Sequence, residues 1–202
     1  MPRANTTAAH RLLAEVRACR LCEPALAHGA RPVLQFDPRA RLLIAGQAPG
    51  SKVHASGVPF DDQSGERLRT WLGVDRAAFY DPRSVAILPM GFCYPGKGRS
   101  GDLPPRPECA ATWRERLLAQ LPALRWTFVV GAHAMSWHLG EPVAAAGLTA
   151  AVRRHRDFAA RRMTPLPHPS PRNNPWLKAN PWFERDVLPA VRAAVRDALA
   201  EG

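Results

Sequence analysis

The segment with the most obvious chemistry is PHPSPRNN, which begins at Pro167. His168 stands between two prolines, and prolines stiffen the backbone on both sides of it. A neutral imidazole held in a dry pocket can donate a hydrogen bond to negative charge that develops during a reaction. Ser170, Pro171, Arg172 and Asn173 follow as a rigid, cationic tip, suited to entering a groove and filling a gap in stacked bases. A lone histidine more often caps a loop or packs in a core; inside this loop the chemical role is preferred. GQAPG, Gly46 to Gly50, is a tight turn whose glycines let a ligand approach the backbone closely. It lacks the lysine of a P-loop and the third glycine of a dinucleotide fingerprint, which speaks against nucleotide hydrolysis and NAD binding. In GVPFDDQSG, Phe60 offers either a flat surface for a base or ordinary core packing. Asp61 and Asp62 either position water or sit exposed.

The four cysteines are Cys19 and Cys22, in CRLC, with Cys93 and Cys109 much later. Their count is that of a tetrathiolate metal site, with zinc or an iron–sulfur cluster as the metal. It favours metal over two buried thiols and a chance C-x2-C pair. The Gly- and Pro-rich stretch between the later two is loose for a zinc ribbon.

These residues need a frame, and the sequence supplies one. RLLIAG (41–46), VAILP (85–89) and TFVVG (127–131) are short apolar runs closed by Gly or Pro, as buried parallel strands are. MTPLP (163–167) is a weaker fourth strand. Helices are expected over 64–72 with Ser64 as its cap, over 108–121, and from Ala134 to Leu139. A last helix is expected with Asn180 as N-cap and Pro181 at its first position, carrying the stripe Val187, Leu188, Val191, Val195 and Leu199. Pro189 must kink that helix or mark its real start. The pattern gives a three-layer α/β/α sandwich on a four-stranded, mostly parallel sheet. GQAPG, PMGFCYPG, GAHA and PHPSPRNN each follow a strand end. Ligands of open α/β sheets bind beyond the carboxyl ends of the strands, so one composite site is expected there.

At 202 residues the chain suits a single domain, 1–202, and 46% hydrophobic residues are enough for a core. Proline is abundant, 21 residues, but clusters in motif-like loops without a repeat. No apolar run approaches the roughly 18 residues of a membrane span. MPRANTTAAHRLL has no hydrophobic export region, so a cytoplasmic protein is expected, and a monomer. Lys and Arg total 28 against 17 Asp and Glu, a net charge of +11. That balance suits either a polyanionic partner, usually nucleic acid, or simply an arginine-rich proteome. Arg153, Arg154, Arg156, Arg161 and Arg162 concentrate it locally, as a partner-binding patch or a solvated helix face.

GQAPG, then PF within VPFDDQSGERLRTWL, then HPSPRNN, in this order and spacing, resemble the uracil-DNA glycosylase superfamily. The resemblance runs from about Cys19 to Trp182. The cysteines and the RPEC string at Arg106 to Cys109 are similar to the small iron–sulfur branch. HPSPRN is closer to the single-strand-selective monofunctional branch. The resemblance implies an α/β/α sandwich with a four-stranded parallel sheet. It implies a 4Fe–4S cluster on Cys19, Cys22, Cys93 and Cys109, with zinc as the alternative. It also implies DNA containing uracil or abasic sites as partner, and removal of a flipped uracil by hydrolysis of its glycosidic bond. His168 would stabilise the departing uracil anion, Phe60 would stack on the base, and Gln47 and Ala48 would lie beside the sugar. Ser170 to Asn173 would plug the vacated stack, with Arg172 as wedge and phosphate contact.

Two departures stand out. Ala48 replaces the water-activating Asp of the most efficient branch, and Gln47 replaces the Glu of the iron–sulfur branch. Gln orients water but cannot take its proton, so Asp61 or Asp62 is the expected substitute. Pro89 occupies the place of the base-reading Asn and has no donor at all. Base reading is therefore expected from backbone groups of Met90 and Gly91, with a range that extends to other deaminated bases. A non-catalytic DNA or abasic-site binder of the same fold is the rival expectation.

Overall fold

The computed structural model describes residues 3–99 and 101–200. Among the described residues the strands are β1 (Leu42–Ala45), β2 (Val85–Ile87), β3 (Lys97–Gly98), β4 (Gly101–Asp102), β5 (Trp126–Val130) and β6 (Met163–Leu166). β2, β1, β5 and β6 form one parallel sheet in that order, and β3 and β4 form a two-residue ribbon apart from it. Leu42 pairs with both Val85 and Trp126, and Val130 pairs with Leu166.

The sheet is buried on both faces, which is why its central strands read as unbroken apolar runs. Leu42 and Ile44 belong to one core cluster, and Leu43 between them belongs to the other. The helices Gln63–Leu72 and Leu188–Ala200 cover the first face through Leu68, Trp71, Val191 and Val195. The helices Arg3–Arg17 and Pro107–Leu118 cover the second through Leu13, Val16, Trp113 and Leu117. Each fully buried leucine here contributes about 1.5–3 kcal/mol relative to exposure. β6 lies at the sheet's edge, where Pro165 can sit without breaking a central ladder. The three-layer α/β/α architecture is the expected one.

Two local expectations are corrected, and a choice left open at Pro189 is decided. The 63–72 helix begins at Gln63, one residue early, and is capped by Asp62 rather than Ser64: Asp62 Oδ1 accepts from the Gly65 amide at 2.9 Å. Asn180 caps no helix N-terminus; it ends the helix Asn174–Ala179, and its Oδ1 accepts from the Trp182 indole at 3.0 Å. The C-terminal helix starts at Leu188 after a π-turn over Phe183–Val187, so Pro189 marks a start and not a kink. The arginine-rich stretch precedes the amino end of β6, away from the carboxyl edge that gathers the unusual loops. There Arg153 covers the Trp182 ring at 4.4 Å, Arg154 pairs with Asp157, and Arg161 donates to the His138 carbonyl.

Candidate active site

Because the four sheet strands are parallel, the loops that follow them meet at one edge. They enclose a cleft of about 470 Å³ whose walls include Gln47, Ala48, Phe60, Pro89, His168 and Arg172. The loops after β1 and β2 are zipped together: the Met90 amide donates to the Gly46 carbonyl and the Gly91 amide to the Gln47 carbonyl, both at 3.0 Å. This corrects the expectation for Met90 and Gly91. Their N–H groups are already taken, Met90 is buried in the core, and neither lines the cleft.

His168 follows β6 on a loop tied down at several points. Its carbonyl accepts from Asn173 Nδ2 at 2.7 Å, and the Arg67 guanidinium donates to the carbonyls of Pro169 and Ser170 at 3.3 and 3.2 Å. Ser170 Oγ accepts from the Arg172 amide at 3.3 Å. The Ser170 amide donates to Nδ1 of the imidazole at 3.2 Å. A nitrogen that accepts carries no proton, so in the neutral ring the proton is on Nε2, the nitrogen left free. Burial holds His168 below its ordinary value of 6.5, against the opposing pull of Asp62 and Asp102. Gly131 has φ +83°, a conformation that favours glycine, and Gln47 Oε1 and His168 Cδ2 each lie 3.8 Å from its Cβ position. The two side chains therefore converge over this glycine.

Phe60 is held in the left-handed region at φ +55°, a conformation costing a bulky residue about 1–3 kcal/mol. Its carbonyl accepts from the Tyr80 hydroxyl at 3.1 Å. The same oxygen lies 1.7 Å from the place of a Cβ on Gly65, so only glycine fits there. The ring meets Phe79 edge-on at 6.3 Å and stands against the Gly46 turn, with Cζ 3.5 Å from that residue's Cβ position. Of the two adjacent carboxylates, Asp61 pairs with Arg76 at 3.0 Å, whereas Asp62 lines the cleft and keeps one oxygen beyond its capping bond.

The uracil DNA glycosylase superfamily profile matches residues 34–192. The chain belongs to this superfamily. The span that makes it a uracil DNA glycosylase relative contains every cleft residue named above, together with Cys93 and Cys109; Cys19 and Cys22 precede it.

In this superfamily member the four cysteines are free and half-buried, and all four line a second, narrow cavity walled by Val16, Leu26, Phe92 and Trp113. Burial pushes the Cys109 thiol up to about 12, and Cys93, Cys22 and Cys19 push the same way; burial also raises Cys93 and Cys22. The Phe92 amide donates to the Cys109 sulfur at 3.3 Å. Among the described residues, no three His, Cys, Asp or Glu side chains stand so that they could hold one metal ion.

Two functional residues of this glycosylase relative escaped sequence reasoning. Arg67 fixes the His168 loop, as above, and nothing in its local sequence announces that. Arg114 is 2% exposed. It donates to the Leu88 and Pro89 carbonyls at 2.8 and 3.2 Å and to His138 Nε2 at 3.0 Å. It thus ties the helix bearing Cys109 to the cleft residue Pro89. The available signal was its place on the apolar face of its helix, three residues before Leu117.

Proposed function

We propose that the chain is a monofunctional uracil-DNA glycosylase that receives a flipped base in the cleft and hydrolyses its glycosidic bond. The observation that carries this reading is the tautomer of His168: Nδ1 is occupied by the Ser170 amide, and Nε2–H remains as a donor in a cleft beside Phe60. As the C1′–N1 bond breaks, its electron pair passes to the base and delocalises onto a carbonyl oxygen. The Nε2–H group stabilises that oxygen without the ring needing a charge. Phe60 stacks on the base. Water adds to C1′, with Asp62 accepting its proton and Gln47 orienting it. Ser170, Pro171, Arg172 and Asn173 fill the emptied stack, Arg172 also meeting phosphate.

Base reading is relaxed in this account, because Pro89 has no donor and the Met90 and Gly91 amides are engaged. Other deaminated bases are accepted. The HPSPRN string supports the single-strand-selective type of motif.

The cysteines fit a 4Fe–4S cluster better than zinc. Four thiols line one largely apolar cavity, and burial raises the proton affinity of Cys22, Cys93 and Cys109, which a cationic core would relieve. Cys19, Cys22, Cys93 and Cys109 would hold it, and it would pin the N-terminal helix to the loop after β2. The site lies apart from the cleft, so its contribution is structural. A single-domain, monomeric, cytoplasmic repair enzyme completes the proposal.

An oligonucleotide with one uracil tests the reading. Incubation followed by alkali should cut the strand at that position. A strand that is bound but left intact would mean a DNA or abasic-site binding protein instead.

A further inference from the structure

The β3–β4 ribbon lies between Cys93 and Cys109 and belongs to none of the motifs above, yet Gly101, Asp102 and Leu103 line the cleft. It touches the tip of the His168 loop, where the Arg172 guanidinium lies against the open face of Gly101. Leu103 is 44% exposed and lines the cleft. Its position is fixed all the same. Its amide donates to the Gly96 carbonyl at 2.9 Å, and its side chain rests against the open faces of Gly96 and Gly98, 3.7 and 3.1 Å from their Cβ positions. Lys97 and Arg99 are exposed on the same ribbon, and neither makes an ion pair among the described residues.

We propose that this ribbon is a second DNA-holding element fitted to duplex DNA, with Leu103 as an apolar wedge set against Arg172 and with Lys97 and Arg99 on phosphates. The inference rests on the glycosylase reading and adds a strand preference to it. Opening a paired, stacked step costs a few kcal/mol, and an apolar side chain inserted into the gap offsets part of that cost. A half-exposed leucine gains burial on insertion. The flanking cations complement the polyanion on either side of the step. A single strand has no paired step to open, so the wedge matters chiefly on duplex.

The test compares single-turnover excision of one uracil presented in a duplex and in the same strand alone. Leu103→Ala should lower the duplex-to-single-strand rate ratio about tenfold, and Leu103→Met should restore most of it. Combining Lys97→Ala with Arg99→Ala should make the slope of log affinity against log salt shallower by about two on duplex. A ratio unchanged in Leu103→Ala would overturn the wedge, and an unchanged slope would overturn the phosphate contacts. If the wild-type chain leaves uracil in both substrates, it is the glycosylase reading that fails. The wedge is then read from 2-aminopurine beside an abasic site in duplex DNA. Binding should brighten the probe, and Leu103→Ala should abolish the change; equal brightening by both proteins overturns the proposal.

Discussion

The Ser170 amide donates to Nδ1 of His168, two residues back in the same loop, and that bond decides which nitrogen of the ring can act. Burial keeps the ring neutral by holding its pKa below 6.5. Excision should therefore be level above pH 6.5 and decline at lower pH, as protonation of Nδ1 breaks the Ser170 bond. Stability follows the same direction. The unfolded chain takes up a proton near pH 6.5 that the folded chain resists, so stability is complete above that value and is lost as pH falls towards the folded pKa. His138, pushed down to about 3 chiefly by burial, adds to the trend. Urea midpoints at pH 7.5 and 5.5 should show the lower value at pH 5.5.

Gly65→Ala should be among the most damaging single-methyl additions. The new Cβ would meet the Phe60 carbonyl, so the strained Phe60 backbone or the start of the helix must move. A loss of about 1–3 kcal/mol is expected from the overpacking, and excision should fall further than stability does because the Phe60 ring is displaced. Thermal melts and a rate measured on the remaining folded protein separate the two effects.

Asp62→Asn isolates the carboxylate from its capping role, because asparagine caps a helix as well as aspartate does. Melting should change little, whereas turnover should drop by about a hundredfold. Asp61→Asn removes only a half-exposed pair with Arg76 and should leave turnover close to wild type.

Arg114→Met would leave the Leu88 and Pro89 carbonyls buried without their donor. A destabilisation of about 1–3 kcal/mol for each orphaned carbonyl is the expected result in denaturant titrations. Lysine lacks the fork that reaches both carbonyls and His138, so Arg114→Lys should recover only part of it.

For the cysteines, anaerobically purified protein should be yellow-brown and carry about four iron atoms per chain. Cys22→Ser should bleach it and lower its melting point. Colourless protein with stoichiometric zinc would contradict the cluster.

Much of this molecule was legible in its sequence because burial on both faces writes a parallel strand as an apolar run. β1, β2 and β5 follow from that alone. His168, Phe60 and Gln47 were legible as members of loops that all follow strand ends. What stayed hidden depends on contacts between distant segments. Whether the Met90 and Gly91 amides face a base or the neighbouring loop is decided by the Gly46 and Gln47 carbonyls, more than forty positions earlier. Asp62 and Ser64 are both good capping residues, and only the path of the chain past Phe60 selects the first. Arg114 broke the apolar pattern of its helix, yet the carbonyls it serves lie on another element. From composition the arginine-rich stretch suited either a binding patch or a solvated helix face. Its place at the far edge of the sheet, with Trp182, Asp157 and the His138 carbonyl as partners, comes only from tertiary structure.

The claim at the centre of this account is that the free Nε2–H of His168 stabilises the departing base. The most direct measurement is single-turnover release of uracil by wild type and by His168→Ala, paired with the affinity of each for abasic DNA. The account predicts that release slows by about 10²–10³-fold while abasic-site affinity is kept within a few fold. Equal release rates, or parallel loss of release and affinity, would contradict it.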